Sequence, residues 1–267
     1  MQDMTDLLDF AKSVAQEAGA IMRKYFDADD KSVELKTDET PVTIADKLVN
    51  QLLLDRVAER FPDHGVLSEE GSRHEDRKQL WVCDPIDGTK GFIQHIPTAL
   101  FSLAYVIDGR PEVAVMFDPF QNRLFSAIRG KGAWVNEKST HVSSRATLEG
   151  AAVTLSGSYK ELQRRQPFFN DLVAHKAEIV MVPGSVFKSA LIAGGNVDGY
   201  VFPGKSAHDI AAAKLIVEEA GGKVTDLYGK EQRYDGKIYG AIVTNGRIHD
   251  ELVKVVATFG PENFVGY

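Results

Sequence analysis

Cysteine occurs once in these 267 residues, at Cys83. One thiol cannot close a disulfide within the chain, and it leaves too few sulfur ligands for a structural zinc cage. No apolar run approaches the roughly 18 residues that a membrane-spanning helix needs, so no membrane partner is expected. Basic blocks are missing as well: 31 Lys and Arg stand against 38 Asp and Glu, a formal charge of −7. Nucleic-acid binders gather cations on one face, so nucleic acid is not an expected partner. The seven histidines fall at no metal-ligand spacing. The opening MQDMTDLLDF has early acids and no apolar core, which predicts no secretory leader and a reducing, cytoplasmic setting.

What is present is a globular pattern with 43% hydrophobic residues, enough for a large buried core. Leu8, Ala11, Ala15, Ala18, Met22 and Phe26 recur at three and four, predicting a helix over 5–26. The polar stretch 27–41 reads as loop or extended chain, and Thr43 is placed to cap a second helix ending near Phe61-Pro62. GVLSEEG and LWVCDPIDGT are strands that run into acidic turns, followed by strand-like runs at 99–107, 112–117 and 123–128 and by GAWVNEKSTHVS. The second half predicts a strand at 151–155, a helix near 158–174, and strand EIVMV. After these come a helix from about Ser185, strand DGYVF, a helix from Asp209 to about Ala220, strand GAIVTNG and a last helix near 248–257. An antiparallel middle between helical halves implies an α/β fold of stacked layers. The halves, about 1–145 and 146–267, are expected to form one unit around a shared cleft.

GYVFPGKS, residues 199–206, matches the phosphate-binding pattern G-x-x-x-x-G-K-[ST]. Such a loop curls successive backbone N–H groups onto phosphate oxygens. Here Tyr200, Val201 and Phe202 are strand formers and Pro203 has no N–H to give. No later apolar strand ends in an Asp for magnesium. A P-loop NTPase therefore ranks below a strand followed by a turn.

The stronger signal is a set of acids at element ends: Asp46, Glu69, Glu70, Asp84, Asp87 and Asp209. Carboxylates gathered without matching cations repel unless a metal neutralises them, and an all-oxygen set suits magnesium. In DPIDGT, Pro85 stiffens a turn on which Asp84 and Asp87 can point at one place, with the Ile86 carbonyl as a neutral oxygen. Gly88 admits close backbone approach, and Thr89 stands where a helix can begin and receive a phosphate. Taken alone, the same hexapeptide also reads as an Asx-type turn.

In their order and spacing, TPVTIAD, SEEG, WVCDPIDGTKGF and HDIAAAKLIVEEAGG resemble the inositol monophosphatase superfamily of magnesium-dependent, lithium-sensitive phosphatases. RGKGAWVN and PGSVFKSALIAGGNVDGYV are similar to family segments too, so the resemblance spans nearly the whole chain. It implies an αβαβα sandwich of the inositol monophosphatase/fructose-1,6-bisphosphatase type. It implies two or three Mg2+ ions held by Glu69, Asp84, the Ile86 carbonyl, Asp87 and Asp209. By the same resemblance Asp46 and Thr89, with Glu69, manage the attacking water, and Gly88 and Thr89 cradle the phosphate. Gly184 and Ser185 would approach the alcohol portion of a small phosphorylated substrate, and the working form would be a homodimer.

Two departures bear on the substrate. His208 stands where the family commonly has Trp, and Phe202 where inositol-cleaving members usually carry an acid. DGTK in place of the commoner DGTT is similar to the histidinol-phosphate and 3'(2'),5'-bisphosphate nucleotidase branches. Lys205, Lys188 and His208 are candidates to read a second anionic group. Cys83, Trp81 and Trp134 read as packing residues, Glu218 and Glu219 as surface acids, and His95 and His249 as loop or helix-surface residues. A non-catalytic interaction protein on the same fold remains a third alternative.

Overall fold

The structure, a computed structural model, describes residues 3–28, 31–37, 39–155, 157 and 159–264. Helix α1 (Met4–Phe26) turns Leu7, Leu8, Ala11, Val14, Ala15, Ala18 and Met22 inward, and the Asp3 carboxylate caps its start by accepting from the Thr5 N–H at 2.9 Å. A short hairpin of β1 (Glu34–Leu35) and β2 (Pro41–Val42) leads into α2 (Ile44–Arg60). Thr43 caps α2 as expected, in a reciprocal box with Asp46.

A long sheet follows: β3 (Gly65–Ser68), β4 (Gln79–Asp87), a helical turn α3 (Thr89–Ile93), β5 (Leu100–Ile107), β6 (Arg110–Asp118), β7 (Arg123–Ile128), β8 (Ala133–Val135) and β9 (Lys138–Ser139). Its seven strands lie in chain order, with β3 parallel to β4 and every later neighbour antiparallel. Alternation sends Trp81, Cys83, Leu103, Tyr105, Val115 and Phe117 against α1 and α2. Close contact is built in at Gly19 of α1, where a Cβ would lie 2.2 Å from the Phe117 ring.

The other face carries Leu80, Val82, Ala104, Val106, Ala114 and Met116 into a second core. The chain continues through β10 (Ala152–Leu155), α4 (Tyr159–Arg164), α5 (Gln166–Ala174), β11 (Glu178–Val180), α6 (Ser185–Ala193) and β12 (Gly199–Phe202). A one-turn 3₁₀ helix, Ala207–Asp209, precedes α7 (Ala211–Glu219), β13 (Lys223–Thr225), β14 (Ala241–Thr244) and α8 (His249–Phe259). The second sheet has the order β11-β10-β12-β14-β13. Its residues Tyr200, Phe202, Ala241 and Val243 join α6 and α7 in the middle core, while Val153, Leu155, Val201 and Ile242 face α5 and α8. The five layers are α1/α2, sheet, α6/α7, sheet and α5/α8, the αβαβα architecture expected from sequence. Among the described residues no helix is long and apolar enough to cross a membrane.

Two local expectations change. The helix expected over 158–174 breaks at Arg165 into α4 and α5, because Pro167 has no N–H to bond the preceding turn. The Arg165 guanidinium is buried instead, donating to the Phe264 carbonyl at 2.6 Å and to Glu161 at 3.2 Å. Asp209 belongs to the 3₁₀ turn, and α7 begins two residues later.

Candidate metal centre

Strand β4 does not stop at Asp84. It runs on to Asp87 with a register break against β5 between those two residues. A strictly alternating strand would place residues three apart on opposite faces. The irregularity, together with the rigid Pro85, lets both carboxylates approach one point. Asp84 also accepts from the Ile86 N–H at 3.1 Å, so the Asx turn and the converging acids coexist.

Carboxylate oxygens of Asp84, Asp87 and Asp209 lie within 4.8 Å of one another. Glu69, one residue beyond β3, forms a second such group with Asp84 and His208. Asp84 thus belongs to both. The four acids, but not His208, border a cavity of about 610 Å³ whose rim also includes Gly88, Thr89, Gly184, Ser185 and Lys188.

Asp87 is held from the far half of the chain. Its Oδ1 accepts from the Ser185 N–H at 2.8 Å, and its Oδ2 from Val186 at 2.8 Å and Phe187 at 3.4 Å. The first turn of α6 therefore directs its unpaired N–H groups at this carboxylate. Gly184 has φ 81, and a Cβ there would sit 2.9 Å from Asp87 Oδ2. Only a residue without a side chain fits that approach.

Asp46 lies behind the rim, 1% exposed. Its Oδ2 accepts from the Thr43 N–H at 2.8 Å and from the Thr43 hydroxyl at 2.6 Å. Its Oδ1 is 3.3 Å from the Thr89 hydroxyl, which lies 3.0 Å from the Ile86 carbonyl oxygen. Thr89 links the buried acid to the cavity. Gly88 takes φ 87, the left-handed conformation from which α3 starts.

Burial shapes the electrostatics first, and mutual repulsion adds to it. Burial, then the charges of Glu69, Asp87 and Asp209, push the Asp84 carboxyl well above the usual range. Asp209 is raised likewise by burial and by Asp87 and Glu69. Burial lifts Asp46 to about 6 against the hydrogen bonds from Thr43, and lifts Asp87 to about 6 against the α6 amides and Lys188. Such carboxyls favour the proton because burial and mutual repulsion outweigh the nearby Lys188 ammonium, and a divalent ion relieves that repulsion. Three convergent carboxylates, Asp84, Asp87 and Asp209, with Glu69 beside Asp84, offer an oxygen-donor set that fits a hard metal ion.

Other residues divide. His208 joins Glu69 and Asp84, and its Nε2 is 3.7 Å from Asp209 Oδ2. Lys205 is exposed and is not among the cavity-lining residues. Phe202 is 4% exposed in the middle core. Gly199–Phe202 pair with β14, and the first three of them also with β10, so their backbone groups serve the sheet and form no phosphate loop. Sequence reasoning missed Lys36, on the β1–β2 connection, whose ammonium bonds Glu69 at 2.7 Å and Glu70 at 2.5 Å. A lysine in a polar stretch without periodicity carries no signal of such a role. Burial lowers the Lys36 pKa, but the two glutamates more than offset this and hold it above the ordinary lysine range.

The sequence pattern of the inositol monophosphatase family matches residues 3–259. The chain belongs to this family. A Thermotoga maritima protein named fructose-1,6-bisphosphatase/inositol-1-monophosphatase is 35% identical over 94% of this chain and 96% of its own length. Nus factor SuhB of Pasteurella multocida is 34% identical, covering 85% of this chain and 87% of the relative. The solved structure of a Thermotoga maritima IMPase superposes with a TM-score of 0.86 at 34% identity, over 97% of this chain and 99% of that one. Family membership and the acidic cluster thus agree that this pocket could bind metal.

Proposed function

We propose that the protein is a magnesium-dependent phosphomonoesterase acting on a small phosphorylated alcohol. The observation that carries this reading is the convergence of Asp84, Asp87 and Asp209 oxygens within 4.8 Å beside the cavity. Glu69, Asp84, the Ile86 carbonyl, Asp87 and Asp209 would hold two or three Mg2+ ions. Bound magnesium supplies positive charge to the phosphoryl oxygens and makes nearby water more acidic.

The chain's own residues would do the rest. Thr89, donating to Asp46 Oδ1, turns its oxygen lone pairs toward the cavity, where they accept from the attacking water and fix its line of approach. Asp46, poised near 6, can take up the proton through that hydroxyl at neutral pH. The N–H groups at Gly88 and Thr89 cradle the phosphoryl oxygens. Gly184 and Ser185 border the space left for the alcohol, with Lys205 on the connection after β12 and His208 in the 3₁₀ turn beside Glu69 and Asp84. Phosphoryl transfer needs chiefly positioning and charge neutralisation, and no covalent enzyme intermediate is required.

Buried Phe202 offers no acid to a ring of hydroxyls. That favours substrates with a second polar or anionic group over myo-inositol 1-phosphate alone, including histidinol phosphate and a nucleoside 3',5'-bisphosphate. Val173, Ile179 and Met181 are exposed, and Met181 lines the cavity, so a homodimer would cover apolar surface beside the site. The test is a phosphatase panel on chelator-treated protein with and without Mg2+. It should contain inositol phosphate, histidinol phosphate, fructose bisphosphate and adenosine 3',5'-bisphosphate, with Li+ as inhibitor and light scattering for mass. Hydrolysis of none of them in Mg2+ would overturn the reading. It would favour a binding role, of the kind that the name of the Nus factor SuhB relative points to.

A further inference from the structure

Two lysines meet the acids, and they are built differently. Lys36 stands on a connection between two-residue strands, and its side chain keeps 20% of its exposure. Lys188 is 2% exposed on α6, three residues after Ser185, whose N–H binds Asp87. That helix is packed between the two sheets, against β4, β5 and β6 on one side and β12 and β14 on the other. The ammonium lies 5.1 Å from the Tyr200 ring centroid, a favourable place for a cation. Lys188 lines the same cavity as Asp87 and Asp209, which attract it and which it in turn stabilises. Lys36 is carried by a short connection, whereas Lys188 lines the cavity from a helix held between two sheets.

We infer that Lys188 is a resident cation of the metal centre, which weakens divalent-ion binding at Asp87 and Asp209 and strengthens binding of the phosphoryl group. A fixed positive charge in a buried site repels an incoming dication and attracts an anion, with little solvent screening. Metal and phosphate then depend on each other: the ion is held loosely alone and firmly once the anion is present. The inference rests on the metal reading above. Burial works against the ammonium, while the Asp87 and Asp209 carboxylates and the Tyr200 ring favour it.

Titration calorimetry of the full chain at pH 7 separates the possibilities, with Mn2+ as the metal probe and inorganic phosphate added to Mn2+-saturated protein. Lys188→Met keeps the length and apolar stem. It should tighten Mn2+ binding about tenfold and weaken phosphate about tenfold, opposite shifts that one buried charge produces. Loss of packing alone would weaken both. Lys188→Arg keeps the charge and should stay near the wild-type values. If Lys188→Met does not fold, Lys188→Gln carries the same expectation.

A folded neutral variant that binds Mn2+ no tighter than wild type overturns the inference and leaves the metal reading standing. Wild-type protein that binds no Mn2+ overturns both.

Discussion

The seven-stranded and five-stranded sheets reach the same pocket by different routes. In the first, neighbours in space are neighbours in sequence, and Glu69, Asp84 and Asp87 all emerge within one parallel pair, β3–β4, or just beyond it. In the second, β12 lies between β10 and β14, and strands distant in sequence must meet before Asp209 and Gly184 can reach the site. The first region supplies most of the charge. The second supplies what holds the charge in place: the α6 amides on Asp87, the Gly184 approach and the Lys188 ammonium. The pocket is a joint, and the most damaging changes should be those made where the two regions touch.

Asp87→Asn strikes that joint and should have the largest effect. The side-chain amide keeps one accepting oxygen, so its NH2 would face a donor at one of the two N–H groups, Ser185 or Val186, that now donate to separate carboxylate oxygens. It would also remove one negative charge from the proposed ligand set. Changes in groups that only support a metal ligand already cost about 10- to 100-fold in affinity or activity, so loss of this contact should exceed about 100-fold. Mg2+-dependent hydrolysis and Mn2+ calorimetry both read it. Unchanged activity would separate Asp87 from the metals and leave it as a tie between the sheets.

The two regions should also answer pH with opposite signs. In chelator-treated protein Asp46 and Asp87 sit at about 6, above the value of an unfolded aspartate. Their contribution to stability is present below about pH 4 and is lost as pH rises through 6. His249, at the start of α8, behaves in reverse. It is 1% exposed, with Thr244 at 2.9 Å from Nδ1 and Thr225 at 3.1 Å from Nε2, and burial lowers its pKa from 6.5 to about 4. Stability is intact above 6.5 and falls as pH drops toward 4, by roughly 3 kcal/mol at full titration. Melting temperatures from pH 4 to 8 should separate the two: His249→Gln flattens the acid side, and Mn2+ flattens the rise in instability toward neutral pH.

His249 also marks the limit of what the sequence discloses. Beside Asp250 and Glu251 at a helix start it reads as a surface residue. It is buried because hydroxyls from β13 and β14 meet both ring nitrogens, and strand pairing at that distance leaves no local trace. Glu219 is similar: it reads as a surface acid, yet its carboxylate accepts from the Gly130 and Gly132 N–H groups at 2.7 and 2.8 Å. The acids of β3 and β4 were legible because each closes an apolar run, and the layers because helix and strand periods differ plainly. The α6–Asp87 tie spans 98 residues and involves backbone N–H groups, which every sequence possesses.

Gly184→Ala probes that tie more gently. At φ 81 a Cβ is strained, and it would meet Asp87 Oδ2 at 2.9 Å. The combined backbone and contact penalty should be about 1–3 kcal/mol of stability, read as a lower melting temperature. If the approach matters to function, Mn2+ affinity should fall with it. A stability loss with metal affinity intact would confine Gly184 to the fold.

Lys205→Ala should have the smallest effect, and it tests the chemistry that GYVFPGKS imitates. In a P-loop the lysine touches the reacting phosphates, and its loss would abolish turnover. Here the first four residues of the match are strand β12, and Lys205 is exposed after it. A leaving-group contact from an exposed ammonium is screened by water and is worth about 0–1 kcal/mol. The expected outcome is a rise in KM of no more than about fivefold, with kcat and Mn2+ affinity unchanged. Collapse of kcat would move the reactive phosphate away from the four acids and toward the loop, and the second region would then hold the chemistry that is assigned here to the first.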